Sequence, residues 1–94
     1  MTGRQQARPD STLTWRLHMK DLIEQIARTL VENPDSVSVE EKEEEDVKVY
    51  ELKVAESDLG RVIGREGRIA KAMRVIVRSA AARHGEKATI EIID

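Results

Sequence analysis

The sequence predicts an α+β domain with the element order α-β-β-α-α-β, arranged as a three-stranded mixed sheet with its helices on one face. Three observations predict it. A run at helical spacing begins at Met19 and stops at Asn33-Pro34, two alternating runs flank an acidic turn, and two helical segments joined by a glycine pair precede a β-branched finish. Ninety-four residues sustain one small domain. The 39% hydrophobic content, aliphatic and free of Phe, suffices for a packed core and is too high for a disordered chain.

Residues 1–18, "MTGRQQARPDSTLTWRLH", are polar and lack sustained apolar periodicity, and His-Met at 18–19 is a dipeptide that cloning junctions leave behind. They are expected to form a vector-derived or disordered leader, with one domain over 19–94. From Met19 the apolar residues Met19, Leu22, Ile23, Ile26, Ala27 and Leu30 mark one face of a helix. "SVSVEE" alternates as a strand, "EKEEED" reads as a charged turn, and "VKVYELKVA" is β-branched and aromatic. That second strand changes phase, since Val47 and Val49 alternate together while Tyr50, Leu52 and Val54 take the other face; a bulge or burial on both faces accounts for this.

Ser57 is placed to cap a short helix with Leu59, Val62 and Ile63 inward, which Gly64 interrupts. A longer helix from Gly67 to His84 carries Ile69, Ala70, Met73, Ile76, Val77, Ala80 and Ala81 on its apolar side, and Arg68, Lys71, Arg74 and Arg78 on the other. "KATIEII" is the last strand. A strand, a two-helix crossover and a strand pair in parallel with right-handed connection, while the hairpin adds an antiparallel neighbour. On the sheet face away from the helices, Val47, Val49 and Ile93 are candidates for an apolar patch.

The chain excludes several chemistries. With no cysteine there is no disulfide, thiol nucleophile or cysteine-based zinc site, and no apolar run approaches the roughly 18 residues of a membrane span. The expected location is the cytoplasm. No lysine of P-loop type follows the glycines and no His stands near a catalytic partner, so the reading is non-enzymatic, without cofactor or metal.

The stretch "VIGREGRIAKAM" carries the chemistry. Glycines at 64 and 67, between a short helix and the start of a basic one, let an anion approach both the loop amides and the positive end of the second helix dipole. From Arg61 to Lys87 eight basic residues stand against Glu66 and Glu86, whereas from Asp35 to Asp46 seven acids stand against Lys42. The field is dipolar, so a net charge of −2 does not exclude a polyanion.

These residues, with "ELKVAESDLGR" before them, resemble the KH nucleic-acid-binding family, whose signature is a Gly-x-x-Gly loop between two helices. The element order is similar to its type II arrangement, and the chain from "MKDLIEQIARTLVENPDSV" onward resembles the small bacterial KhpA family within it. The resemblance implies single-stranded RNA as the partner, with Gly64, Arg65, Glu66 and Gly67 clamping about four nucleotides. It implies that Ile63 and Ile69 wall the groove, that Arg61, Arg68 and Lys71 neighbour phosphates, and that the edge of strand Lys48–Val54 reads bases. The near absence of aromatics agrees, because a KH groove works with aliphatic contacts where other RNA modules need stacking platforms. The family also implies a post-transcriptional regulator or RNA chaperone, linked to cell shape. The resemblance further implies that such a protein acts as a homodimer or as a heterodimer with a KhpB (Jag) type protein. The alternative reading is a protein-interaction subunit on a KH fold with little RNA affinity. Two positions depart from the family pattern: Glu66 is acidic beside the expected phosphate, and Ala70 stands where a large aliphatic residue is usual.

Overall fold

The computed structural model describes residues 11–94. Helix α1 spans Ser11–Leu30, strands β1 and β2 span Ser38–Glu44 and Val47–Lys53, helices α2 and α3 span Leu59–Ile63 and Arg68–Arg83, and strand β3 spans Lys87–Ile93. The sheet order is β1-β2-β3, with β1 antiparallel and β3 parallel to β2. Both the fold class and the mixed pairing are those expected. The core lies between the sheet and α1 and α3, formed by Ile23, Ala27, Val39, Tyr50, Leu52, Val62, Met73, Val77, Ala88 and Ile90 with their neighbours.

Helix α1 begins at Ser11, within the segment expected as a leader. Residues 1–10 lie outside the described residues, but Ser11–His18 are helical and continuous with the segment from Met19. Trp15 stands one turn before Met19, so that Trp15, Met19, Ile23 and Ala27 form a buried stripe at four-residue spacing. One aromatic among polar neighbours was too sparse a signal to mark this extra length. The added turns are also tied down. Trp15 stacks on His84 with ring centroids 5.2 Å apart and planes at 8°. The Arg16 guanidinium donates to both carboxylate oxygens of Glu86 at 2.9 Å. Leu22, expected on the buried face, is instead exposed, because the stripe follows Trp15 and Met19 and leaves Leu22 to one side.

The hairpin register runs without interruption from Ser38 opposite Lys53 to Glu44 opposite Val47, so there is no bulge. Glu45 and Asp46 both have positive φ, 50° and 68°, which is the two-residue type I′ geometry that matches strand twist. The phase change in β2 is therefore burial on both faces. Tyr50 and Leu52 point to the helices, while Val49 is buried on the far face, where the Lys42–Glu51 ion pair at 3.1 Å flanks it. This breaks the apolar patch expected from Val47, Val49 and Ile93. Burial also pushes the Tyr50 hydroxyl up to about 12, so the side chain is neutral throughout the physiological range.

The junction between α1 and α2 is built on Asp58 rather than on the expected Ser57 cap. Asp58 is fully buried. Its carboxylate accepts the backbone N–H groups of Glu32 and Asn33 and the Asn33 side-chain amide, each at 3.0 Å, and Arg61 Nε lies 3.4 Å away. The donors that follow α1 are thus satisfied by a residue 25 to 26 positions later. The N–H of Glu32 leads the forces that hold the Asp58 carboxyl below its ordinary range, against the opposing effect of burial.

A carboxyl held low in the folded state contributes stability above its unfolded value near 4, and that contribution is lost as pH falls through the folded value. Asp58→Asn is therefore expected to be clearly less stable than wild type at pH 7, with the gap closing as pH falls below about 4. Urea unfolding at a series of pH values checks this, and a gap independent of pH would contradict it.

Candidate nucleic-acid interface

The loop between α2 and α3 takes its shape from three consecutive backbone constraints. Helix α2 ends when Gly64 N–H bonds the Gly60 carbonyl at 2.9 Å, and Gly64 then turns to φ 80°, ψ 171°. That combination is open only to glycine. A Cβ on Gly64 would also lie 2.7 Å from Ile69 Cγ1, so the loop closes directly onto the Ile69 side chain. Glu66 and Gly67 follow in the left-handed region, at φ 56° and 75°. A Cβ at Gly67 would have as its nearest neighbour Lys71 Cε at 3.9 Å. Gly67 is thus needed for its conformation and Gly64 for both conformation and space. The turn delivers the chain to α3, and its own amides hold it closed: the Gly67 N–H bonds the Gly64 carbonyl at 3.0 Å and the Arg68 N–H bonds the Arg65 carbonyl.

The structure brings most of the expected site residues together. Arg65, Glu66 and Arg68 are exposed at the loop, Ile63 is exposed beside it, and Ile69 is half-buried under Gly64. Lys71 is exposed one turn into α3, its aliphatic stem the nearest group to Gly67. Arg65 and Lys71 make no ion pair among the described residues. Glu66 pairs with Arg68 at 3.3 Å, with both side chains more than 70% exposed. An exposed pair of this kind contributes less than about 1 kcal/mol, so it is easily exchanged for another anion. Arg61 stands apart from the others. Its guanidinium is engaged by Glu32 at 3.1 Å and Asp58 at 3.4 Å, which directs its charge to the α1–α2 junction.

The sheet edge differs from the one expected. Strand β2, which holds Lys48–Lys53, is hydrogen-bonded on both sides and has no free edge; β3 supplies the free edge on the side where α3 packs. The residue pattern marks a strand, but edge status depends on which neighbours pair with it. Helix α3 also differs in one expected core position. Ile76 is exposed, next to exposed Val75, while Ala70, Met73, Val77 and Ala81 form the buried stripe.

Comparisons with known proteins bear on the family and the fold. The family model described as KhpA/KhpB, KH domain, matches residues 20–92. The RNA-binding protein KhpA of Clostridium acetobutylicum is 48% identical over 75 residues, which is 80% of this chain and the whole of that protein. KhpA of Clostridium perfringens gives the same values. Among solved structures, Era of Aquifex aeolicus bound to GDP and AlF4− superposes with a TM-score of 0.56 at 22% identity, covering 83% of this chain and 30% of Era. That likeness is one of fold, and the chain spans under a third of Era's length.

The two glycines differ in what they tolerate. Gly67→Ala meets only left-handed strain of about 1 to 2 kcal/mol, whereas Gly64→Ala adds a clash with Ile69 and is expected to cost more. Chemical denaturation of both variants checks the order, and equal costs would contradict it.

Proposed function

We infer that this chain, which belongs to the KhpA/KhpB KH-domain family and has the type II KH fold, binds single-stranded RNA at the Gly64–Gly67 loop without catalysing a reaction. The observation that carries this reading is the loop itself: Gly64, Glu66 and Gly67 all at positive φ, closed on Ile69, between exposed Arg65 and Lys71. The missing Cβ at Gly67, where the nearest neighbour would be Lys71 Cε at 3.9 Å, leaves room for a sugar-phosphate backbone to approach the loop closely. Arg65, Arg68 and Lys71 supply the phosphate contacts. Ile63 and Ile69 supply an aliphatic wall for about four bases, and the β3 edge offers peptide groups for base edges. In this reading Glu66 releases Arg68 when phosphate arrives. Arg61 contributes as a support of the loop through Asp58.

So small a groove gains useful affinity when two are joined. The neighbouring exposed residues Val75 and Ile76 on α3 support association with a second copy or with a KhpB (Jag) type protein. The role that fits is that of a cytoplasmic post-transcriptional regulator or RNA chaperone. Among the described residues no helix is long and apolar enough to cross a membrane.

Filter binding to single-stranded RNA across a salt series tests the reading. Affinity is expected to fall with salt at a log-log slope near −0.7 per phosphate neutralised. The double substitution Arg65→Asp with Glu66→Asp is expected to reduce affinity at least tenfold while melting close to wild type. Wild-type affinity in that variant would move the site off the loop. Absence of salt-sensitive binding by the wild type would favour the protein-interaction subunit.

A further inference from the structure

The basic flank of α3 extends well beyond the loop. Lys71, Arg74 and Arg78 are exposed, make no ion pair among the described residues and lie within about 60° of helix arc. By contrast, every described basic residue of the hairpin before Lys53 and the nearby Arg16 is matched to an acid: Arg16 to Glu86, Lys42 to Glu51, and Lys48 to Glu41 and Glu43. Seven residues separate Lys71 from Arg78, a rise of about 10 Å. This flank leads from the loop toward the start of β3.

At its far end lies an open cavity of about 470 Å³ between α3 and β3. Val47, Ala82 and Ala88 supply its apolar lining, and Arg78 and Lys87 supply its positive charge. Glu86 is the one acid in the lining, and its carboxylate is already held by two hydrogen bonds from Arg16 Nη2. The cavity therefore presents cations beside an apolar surface, at a size suited to one nucleotide. Charge along the flank and charge at the cavity have the same sign and are continuous.

We propose that an RNA strand held at the Gly64–Gly67 loop continues along the Lys71, Arg74 and Arg78 flank, and that one of its nucleotides occupies the α3–β3 cavity. Arg78 and Lys87 meet phosphate oxygens there, and the base rests on Ala82, Ala88 and Val47. The proposal rests on the RNA reading of the loop and extends it, from about four nucleotides to a longer footprint. Phosphate contacts position the strand without reading sequence, so the extension increases affinity for length rather than for particular bases.

Fluorescence anisotropy with labelled oligouridylates of about 4 and 10 nucleotides tests it, the shorter matching the loop groove and the longer spanning the flank. Wild type is expected to bind the longer oligomer at least tenfold more tightly. Arg74→Gln with Arg78→Gln is expected to keep the short-oligomer affinity, lose about tenfold on the long oligomer and flatten its salt slope by about 1.4, at 0.7 for each lost phosphate contact. Arg74→Lys with Arg78→Lys is expected to restore the long-oligomer affinity, since a point charge suffices at phosphate. If the glutamine variant binds both lengths as wild type does, the extension is wrong while the loop reading stands. If wild type binds neither length, the loop reading fails and the extension with it.

Discussion

The buried carboxylate of Asp58 holds the site in place. Helix α2 has only five residues, too few to be stable by itself, so its position must come from its surroundings. Asp58 takes the amides that follow α1 and thereby sets the start of α2 against the end of the longest helix. Val62 buries the next turn in the core, and Gly64 closes the helix six residues after Asp58. The loop then has one route to α3, over Ile69. An uncompensated carboxylate in that position would be costly to bury, and three N–H donors with Arg61 beside them remove that cost. The shape of the loop thus depends on a residue that lies outside it.

Much of this was readable in the chain because much of it is local. The glycine pair, the amphipathic α3 and the β-branched strands are patterns within a few residues, and the crossover rule converts their order into a mixed sheet. What escaped depends on distant partners. Ser57 has the chemistry of a cap, but the donors needing an acceptor belong to Glu32 and Asn33, which favours the buried Asp58 carboxylate. Trp15 became part of the core because His84 and the α3–β3 turn lie beside it, which no periodicity near residue 15 shows. Val49 is buried on the sheet's far face, next to a cross-strand ion pair whose partners are nine residues apart. The free edge moved from β2 to β3 for the same reason: pairing partners decide it.

The charge distribution gains meaning from the same packing. Net charge is −2, and the acidic hairpin dominates that total. Cations on that side are matched to acids, and several of these pairs are partly buried. On α3 the cations Lys71, Arg74 and Arg78 face solvent without an acid among the described residues, and Glu66 opposes only Arg68 through an exposed pair. The molecule is a dipole whose positive end starts at the glycine loop.

Amide-resolved NMR during titration with a short single-stranded RNA addresses the central claim most directly. The account predicts that the largest shifts map to Ile63–Lys71, with the acidic turn at Glu45–Asp46 unmoved and Asp58's partners Glu32 and Asn33 only slightly affected. Shifts centred on the hairpin, or none in the glycine loop at saturating RNA, would contradict it.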